Sequence, residues 1–271
     1  MEAFVYLRDA GCTKILKLTI CAVGWDGDKQ QDVEEGISFI IDILKRQAND
    51  AYVFFLTPGA ARLAFNANIS SMYSDHETLS LIFDFTRVIP RICRNCGTQS
   101  EGQTERHTVM RLALERGASS LKELLRNNFI EHNDYQACGE CKVKDSDNIH
   151  QVTEAPDILM VYLARTEQTK HGLVKNTAPV KYTQWLDLDP YVHKDARPVK
   201  YQLNGVVHHN GSPEEGHYVS MVQGQARTWV LLDDDSKPRK VPFSHVTDPR
   251  KCKALEGSWT PVMLVYTRIR R

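Results

Sequence analysis

What this chain lacks sets the first limits. Nowhere does it hold the 18 or more consecutive apolar residues that a membrane-spanning helix needs. The most apolar early stretch, Ile15 to Val23, is interrupted by Lys17. Arg8, Asp9 and Lys14 precede that stretch and no small-residue cleavage site follows it, which argues against a secretory leader. No membrane association is expected. Charge of one sign is not in surplus either, with 34 Lys and Arg against 34 Asp and Glu. Gripping a phosphate backbone needs a basic excess, so nucleic acid is not expected as a partner. Glycine and proline are modest, 15 and 11 among 271 residues, and no internal repeat is visible, which excludes collagen-like and low-complexity chains. What is present, 42% hydrophobic and 25% charged side chains, is an ordinary globular composition long enough for one large domain or two small ones.

Seven cysteines are an odd number, and four of them fall into two CxxC pairs, Cys93-Arg-Asn-Cys96-Gly97 and Cys138-Gly139-Glu-Cys141. With no leader expected, that usage points to a reducing compartment, cytoplasmic or nuclear, where CxxC indicates metal more often than disulfide. Four thiolates close a tetrahedral, structural zinc site with no open position for chemistry. Gly97 and Gly139 suit the tight turns of such knuckles, and the long interval between the pairs predicts a strand and a helix between them. Four buried free thiols are the alternative. Cys12, Cys21 and Cys252 lack a CxxC partner and read as small core residues.

Periodicity supplies the framework. Asp32 with Glu35 three positions on, ahead of Ile37, Ile40, Ile41 and Leu44, predicts a capped helix from Asp32 to Gln47. Leu79 to Ile89 reads as a strand leading into Cys93. His107 to Leu114 alternates, and Ser120 to Glu123 opens a short helix as a capping box. Further strands are expected at Ile158 to Ala164, Tyr201 to His208, His217 to Val222, Trp229 to Leu232 and Val262 to Thr267. The second half should be a mostly antiparallel sheet, with helices supplied by the first half.

His217 follows Gly216 at the start of an alternating strand, and the strand Trp229 to Leu232 runs into Asp233, Asp234 and Asp235. Adjacent strands could bring Asp233 to the imidazole and orient it for proton transfer. The same residues read equally as a surface histidine and a solvated acidic turn.

Taken together the motifs resemble a ubiquitin-specific protease catalytic domain, a papain-like cysteine peptidase. Gln30-Gln31-Asp32-Val33-Glu34-Glu35 is similar to that family's Gln-Gln-Asp box, and the CxxC pairs to its zinc-bound fingers. Ala155-Pro156-Asp157-Ile158-Leu159 resembles the entry to its central strand. His209 to Gly211 with Gly216-His217-Tyr218-Val219 resembles its histidine box, and Val262 to Tyr266 its closing strand. The resemblance implies an α+β fold of palm, zinc-bound fingers and truncated thumb, forming a single domain over residues 1–271. Residues 1–50 would be the thumb remnant, 85–150 the fingers and 151–271 the palm.

It further implies His217 as general base, Asp233 as its orienting partner and Asp234 as a polar neighbour. Gln31, Asp32, Glu35 and Gly216 would line the channel for ubiquitin's C-terminal tail, whose arginines suit carboxylates. Asp32 is equally a helix cap. The implied cofactor is structural Zn2+, and the implied partner is ubiquitin or a ubiquitinated protein. The family's nucleophile segment, Asn-x-Gly-Asn-Thr-Cys-Tyr-like and upstream of the Gln-Gln-Asp box, has no counterpart here. Cys12, 18 residues before Gln30, is the upstream cysteine to weigh, and Gly36 stands where the family has a bulky apolar residue. Two readings follow: a thiol-dependent deubiquitinase present as an incomplete copy, or a ubiquitin-binding zinc module without turnover.

Overall fold

The structure is a computed structural model and describes residues 32–49, 76–114, 117, 119–170, 172–224, 227–234 and 236–269. These fall into two units divided between Leu81 and Ile82. The first contains helix α1 (Val33–Asn49). Asp32 caps it: its Oδ1 accepts the Glu34 amide at 2.8 Å, and its carbonyl accepts the Gly36 amide at 3.0 Å. Glu34 and Glu35 then set negative charge against the positive end of the helix dipole. Helix α2 (His76–Phe83) corrects an expectation, because the strand anticipated from Leu79 onward begins only at Phe85. Leu79, Ile82 and Phe83 recur at helical spacing, and Leu81, which completed the apparent alternation, is 73% exposed.

The second unit is built on strands. In chain order these begin with β1 (Phe85–Ile89), β2 (Arg91–Cys93), β3 (Gln103–His107) and β4 (Val109–Ala113). Helix α3 (Leu121–Asn128) follows, then β5 (Ile130–Asn133), β6 (Ser146–Ile149) and β7 (Gln151–Glu154). Next come β8 (Ile158–Ala164), β9 (Thr166–Thr169), β10 (Gly172–Lys175), β11 (Trp185–Asp187), β12 (Lys200–Gly211) and β13 (Gly216–Gln223). The chain continues through β14 (Trp229–Leu232), β15 (Arg239–Val241), helix α4 (Phe243–Thr247) and β16 (Thr260–Arg268).

An eight-stranded sheet forms the centre, ordered β15-β14-β13-β12-β16-β8-β4, with β11 also paired to β12. Every pairing in it is antiparallel except β4 with β8. Parallel partners need a crossover, and the chain between β4 and β8 fills it with α3 and then β5 to β7. The run Leu159 to Leu163 is buried residue after residue, as a strand covered on both faces must be. Ser120 caps α3, its hydroxyl accepting the Glu123 amide at 3.3 Å. The Glu123 carboxylate returns to the Ser119 amide at 2.8 Å, so the expected capping box closes one residue earlier than its pattern indicates. Leu121, Leu124 and Leu125 face the core shared with Leu112, Leu114 and Leu163.

Two three-stranded sheets, β3-β1-β7 and β2-β6-β5, and a two-stranded one, β10-β9, complete the unit. The first half of the sequence thus contributes strands as well as the helices expected of it. Among the described residues no helix is long and apolar enough to cross a membrane.

Candidate active site and metal centre

The four paired cysteines meet at one end of the β2-β6-β5 sheet. Cys93 closes β2 opposite Ser146, and Asn133 closes β5 opposite the same residue, so both knuckles emerge at the start of β6. Sγ of Cys93 lies 3.6 Å from that of Cys141, and Sγ of Cys96 lies 3.6 Å from that of Cys138. All four sulfurs lie within 4.8 Å of one another. A disulfide needs sulfurs about 2.05 Å apart. Zinc–sulfur bonds of about 2.3 Å set the edge of a tetrahedron at about 3.8 Å. The donor set therefore fits one structural zinc ion.

Hydrogen bonds support the charge of two of the sulfurs, whereas the Cys93 thiol, although the Cys96 amide lowers it, is pushed up to about 11 by burial and by the Cys141 and Cys96 thiols. The Thr98 hydroxyl, 3.2 Å from Cys96 Sγ, and the Thr98 amide bring that thiol down to about 6, the direction metal ligation requires. The Asn95 side chain and then the Val143 amide lower Cys141. Gly97 adopts φ +75° and donates its amide to the Cys93 carbonyl at 2.9 Å, as its placement predicts. In the second knuckle the left-handed residue is Lys142, φ +61°, rather than Gly139. Lys142 takes the structural place that Gly97 holds in the first.

In the middle of the central sheet, β12 and β13 form a hairpin in which Asn210 faces His217 and Gly211 faces Gly216. Strand β14 pairs with β13 as far as Ser220 opposite Leu232, so the next residue, Asp233, falls beside Val219 on the face that carries His217. His217 Nε2 and Asp233 Oδ1 are 2.7 Å apart. Asp234, in a left-handed conformation with φ +39°, brings Oδ2 to 3.6 Å from Nδ1 of the same ring. With Nε2 engaged by the carboxylate, Nδ1 is the nitrogen left to exchange a proton. Side-chain exposures of 44% for His217 and 33% for Asp233 put the pair at the surface of the mouth.

The hairpin is tied from behind. Lys175 Nζ donates to His209 Nδ1 at 2.8 Å and to the carbonyls of His209 and Gly211 at 3.2 and 3.0 Å. Burial, and then the charge of Arg165, bring that lysine down to about 8. Arg165 itself is 2% exposed and donates to the carbonyls of Pro261, Asn176 and Ala178. His209 stacks on Tyr218 at 4.4 Å between centroids. Gly216 lies against the Asn210 carbonyl and His209 Nε2 so closely that a Cβ would strike both.

The structure thus brings together His217, Asp233 and Asp234, and separately Cys93, Cys96, Cys138 and Cys141. Gly216 stands at the head of the His217 strand. Asp32 and Glu35 belong to α1 in the other unit, the first serving as its cap and the second exposed. Gln31, Asp235, Cys12 and Cys21 lie outside the described residues, while Cys252 is buried in the core. Sequence reasoning missed Lys175 and Trp259. Lys175 carries no motif of its own, and Trp259, whose ring lies 5.8 Å from that of His217, reaches it only through the pairing of β16 with β12.

A palm sheet that presents an imidazole and a carboxylate at its mouth, beside strands drawn together by four cysteines, defines a class that the comparisons name. The family model for ubiquitin carboxyl-terminal hydrolase matches residues 13–266, and the chain belongs to that family of deubiquitinases. Ubiquitin carboxyl-terminal hydrolase 25 of Arabidopsis thaliana is 25% identical over 76% of this chain and 30% of its own length. Ubiquitin carboxyl-terminal hydrolase 17-like protein 1 of Homo sapiens is 24% identical over 79% of this chain and 38% of its own. The chain therefore spans only 30% and 38% of the length of these two relatives. Among solved structures, the SAGA deubiquitinating module of Ubp8, Sgf11, Sus1 and Sgf73 bound to monoubiquitin matches with TM-score 0.70 and 21% identity, covering 98% of this chain and 53% of that one. The fold is that of the ubiquitin-specific proteases.

Proposed function

We propose that the protein hydrolyses the bond after the C-terminal glycine of ubiquitin, using a cysteine thiolate. His217 acts as general base through Nδ1 and Asp233 holds its ring. The observation that carries this reading is the 2.7 Å contact between His217 Nε2 and Asp233 Oδ1, made by neighbouring strands at the mouth of a sheet of this family's fold. Nδ1 takes the thiol proton, the thiolate adds to the glycine carbonyl, and the imidazolium returns the proton to the departing amine. Water then attacks the thioester, Nδ1 taking its proton and passing it to the thiolate that leaves. Asp233 supports the positive charge the ring carries between these steps.

Asp32, Glu35 and Gln31 would receive ubiquitin's tail, the carboxylates binding its guanidinium groups in paired, charge-assisted hydrogen bonds. The fingers would grip its globular body, with zinc fixing their shape. A cytoplasmic or nuclear location accords with four cysteines reserved for a metal. The nucleophilic thiol would not come from the zinc set or from Cys252, which is 3% exposed.

The test is reaction of the protein with ubiquitin bearing a C-terminal electrophile, with the adduct weighed and its attachment residue mapped by mass spectrometry. In a form that carries the family's nucleophile segment upstream of Gln30, one ubiquitin per chain is expected, with the rate falling about 10²–10⁴-fold in His217→Ala, whereas the 271-residue chain by itself should bind ubiquitin without an adduct. Retained ubiquitin binding with no adduct in that extended form would overturn hydrolysis and leave a binding module. An equal rate in His217→Ala would remove the base.

A further inference from the structure

Trp259 is the last residue before β16 joins β12, where Thr260 pairs with His209. The chain leading into it folds back onto Asn210, the cross-strand partner of His217. Asn210 Oδ1 accepts the Ser258 amide at 3.2 Å. Gly257, at φ +104°, lies so close to the same carboxamide that a Cβ would come within 2.6 Å of its Nδ2. The Trp259 indole N–H donates to the Glu256 carbonyl at 2.9 Å, closing the turn. The indole is thereby fixed near the imidazole of His217, ring centroids 5.8 Å apart and planes at 76°.

We infer that Trp259 is a positioning residue for His217: gripped by Asn210 through the Gly257–Ser258 backbone, its indole confines the imidazole to the rotamer in which Nε2 meets Asp233 and shields that bond from water. A histidine at a strand end, with 44% of its side chain exposed, otherwise has water competing for both ring nitrogens and several rotamers to sample. An aromatic wall removes rotamers without offering a rival hydrogen bond, and edge-to-face contact between the rings is itself favourable. Excluding water from one side also strengthens a hydrogen bond to a carboxylate. The effect on turnover rests on His217 being the base proposed above, whereas the contact between the rings does not.

Both parts are tested on the whole chain. With histidine labelled by ¹⁵N, the His217 Nε2 proton should exchange with water at least tenfold faster in Trp259→Leu and in Asn210→Ala, and Trp259→Phe should restore most of the protection. Trp259 emission should change when His217 becomes Ala, and that change should vanish in the Trp259→Phe background. Any turnover should lose kcat severalfold in Trp259→Leu with KM held. Unchanged proton exchange in Trp259→Leu, or emission indifferent to His217→Ala, overturns the inference. If Asn210→Ala fails to fold, the Leu and Phe variants decide alone. Altered exchange in a chain that shows no turnover in any variant would uphold the brace and sink only the hydrolysis proposed above.

Discussion

Gly216 has no side chain because two groups already occupy the place of one: the Asn210 carbonyl and the His209 ring, itself held by Lys175. The glycine before the base thus serves the hairpin whether or not substrate also passes over it. Gly216→Ala should force strands β12 and β13 apart at this point, costing about 1–3 kcal/mol of stability as overpacking does. Urea unfolding measures that cost, and nuclear magnetic resonance would show the His217 contact with Asp233 weakened. Two other residues show the limits of composition as a guide. A glycine in a CxxC turn is a fair pointer to a left-handed residue, and Gly97 is one, but in the second knuckle Lys142 adopts that conformation while Gly139 does not. A lysine there is tolerated because the knuckle is closed around it: its amide donates to the Cys138 carbonyl at 3.1 Å, and Nζ to the Gly139 carbonyl at 2.5 Å.

Strands whose burial follows their own sequence pattern were legible. β8 is a run of apolar residues buried between neighbours, and β13 and β14 alternate, so their existence and the nearness of His217 to Asp233 could both be anticipated. α2 was misread because a short apolar segment satisfies both periods, and only the exposure of Leu81 separates them. Trp259 was out of reach because its neighbour is chosen by register, with one residue of overhang beyond a bulged pairing. The fingers make an expectation at this scale. The β2-β6-β5 sheet has a part-exposed Ile149 and exposed Glu131 and His132, too little apolar burial to stand on its own. Removing zinc with a chelator should open it while β8, β12 and β16 stay protected. Hydrogen exchange would read this as lost protection at Arg94 and Cys138, whose amides bond across the knuckles, with no change at Leu264. Equal loss throughout would mean that metal and palm melt as one.

On the scale of the whole molecule, a buried histidine of the palm bears on acid stability. His208 is fully buried, its Nε2 3.4 Å from a Tyr182 hydroxyl that donates to the Val246 carbonyl. Burial, and then the charge of Arg165, bring it down to about 4 from an ordinary 6.5. The unfolded chain therefore binds this proton as pH falls through 6.5, while the folded one refuses it until about 4. Stability is complete above that window and declines within it, by about 2 kcal/mol at pH 5. Urea midpoints at pH 7 and 5 should show the decline, and His208→Gln should flatten it. The two cysteine knuckles also bear on how the chain finds its shape. Thr86 hydrogen-bonds to Glu154 across 68 residues. Through the metal, by way of Cys93 and Cys141, the same two ends are separated by about 20, which lowers the entropy of closing that loop by about 1 kcal/mol. An ion captured early would thus shorten the search by which β1 meets β7, making zinc a guide to assembly before it becomes a fixture of the finished protein.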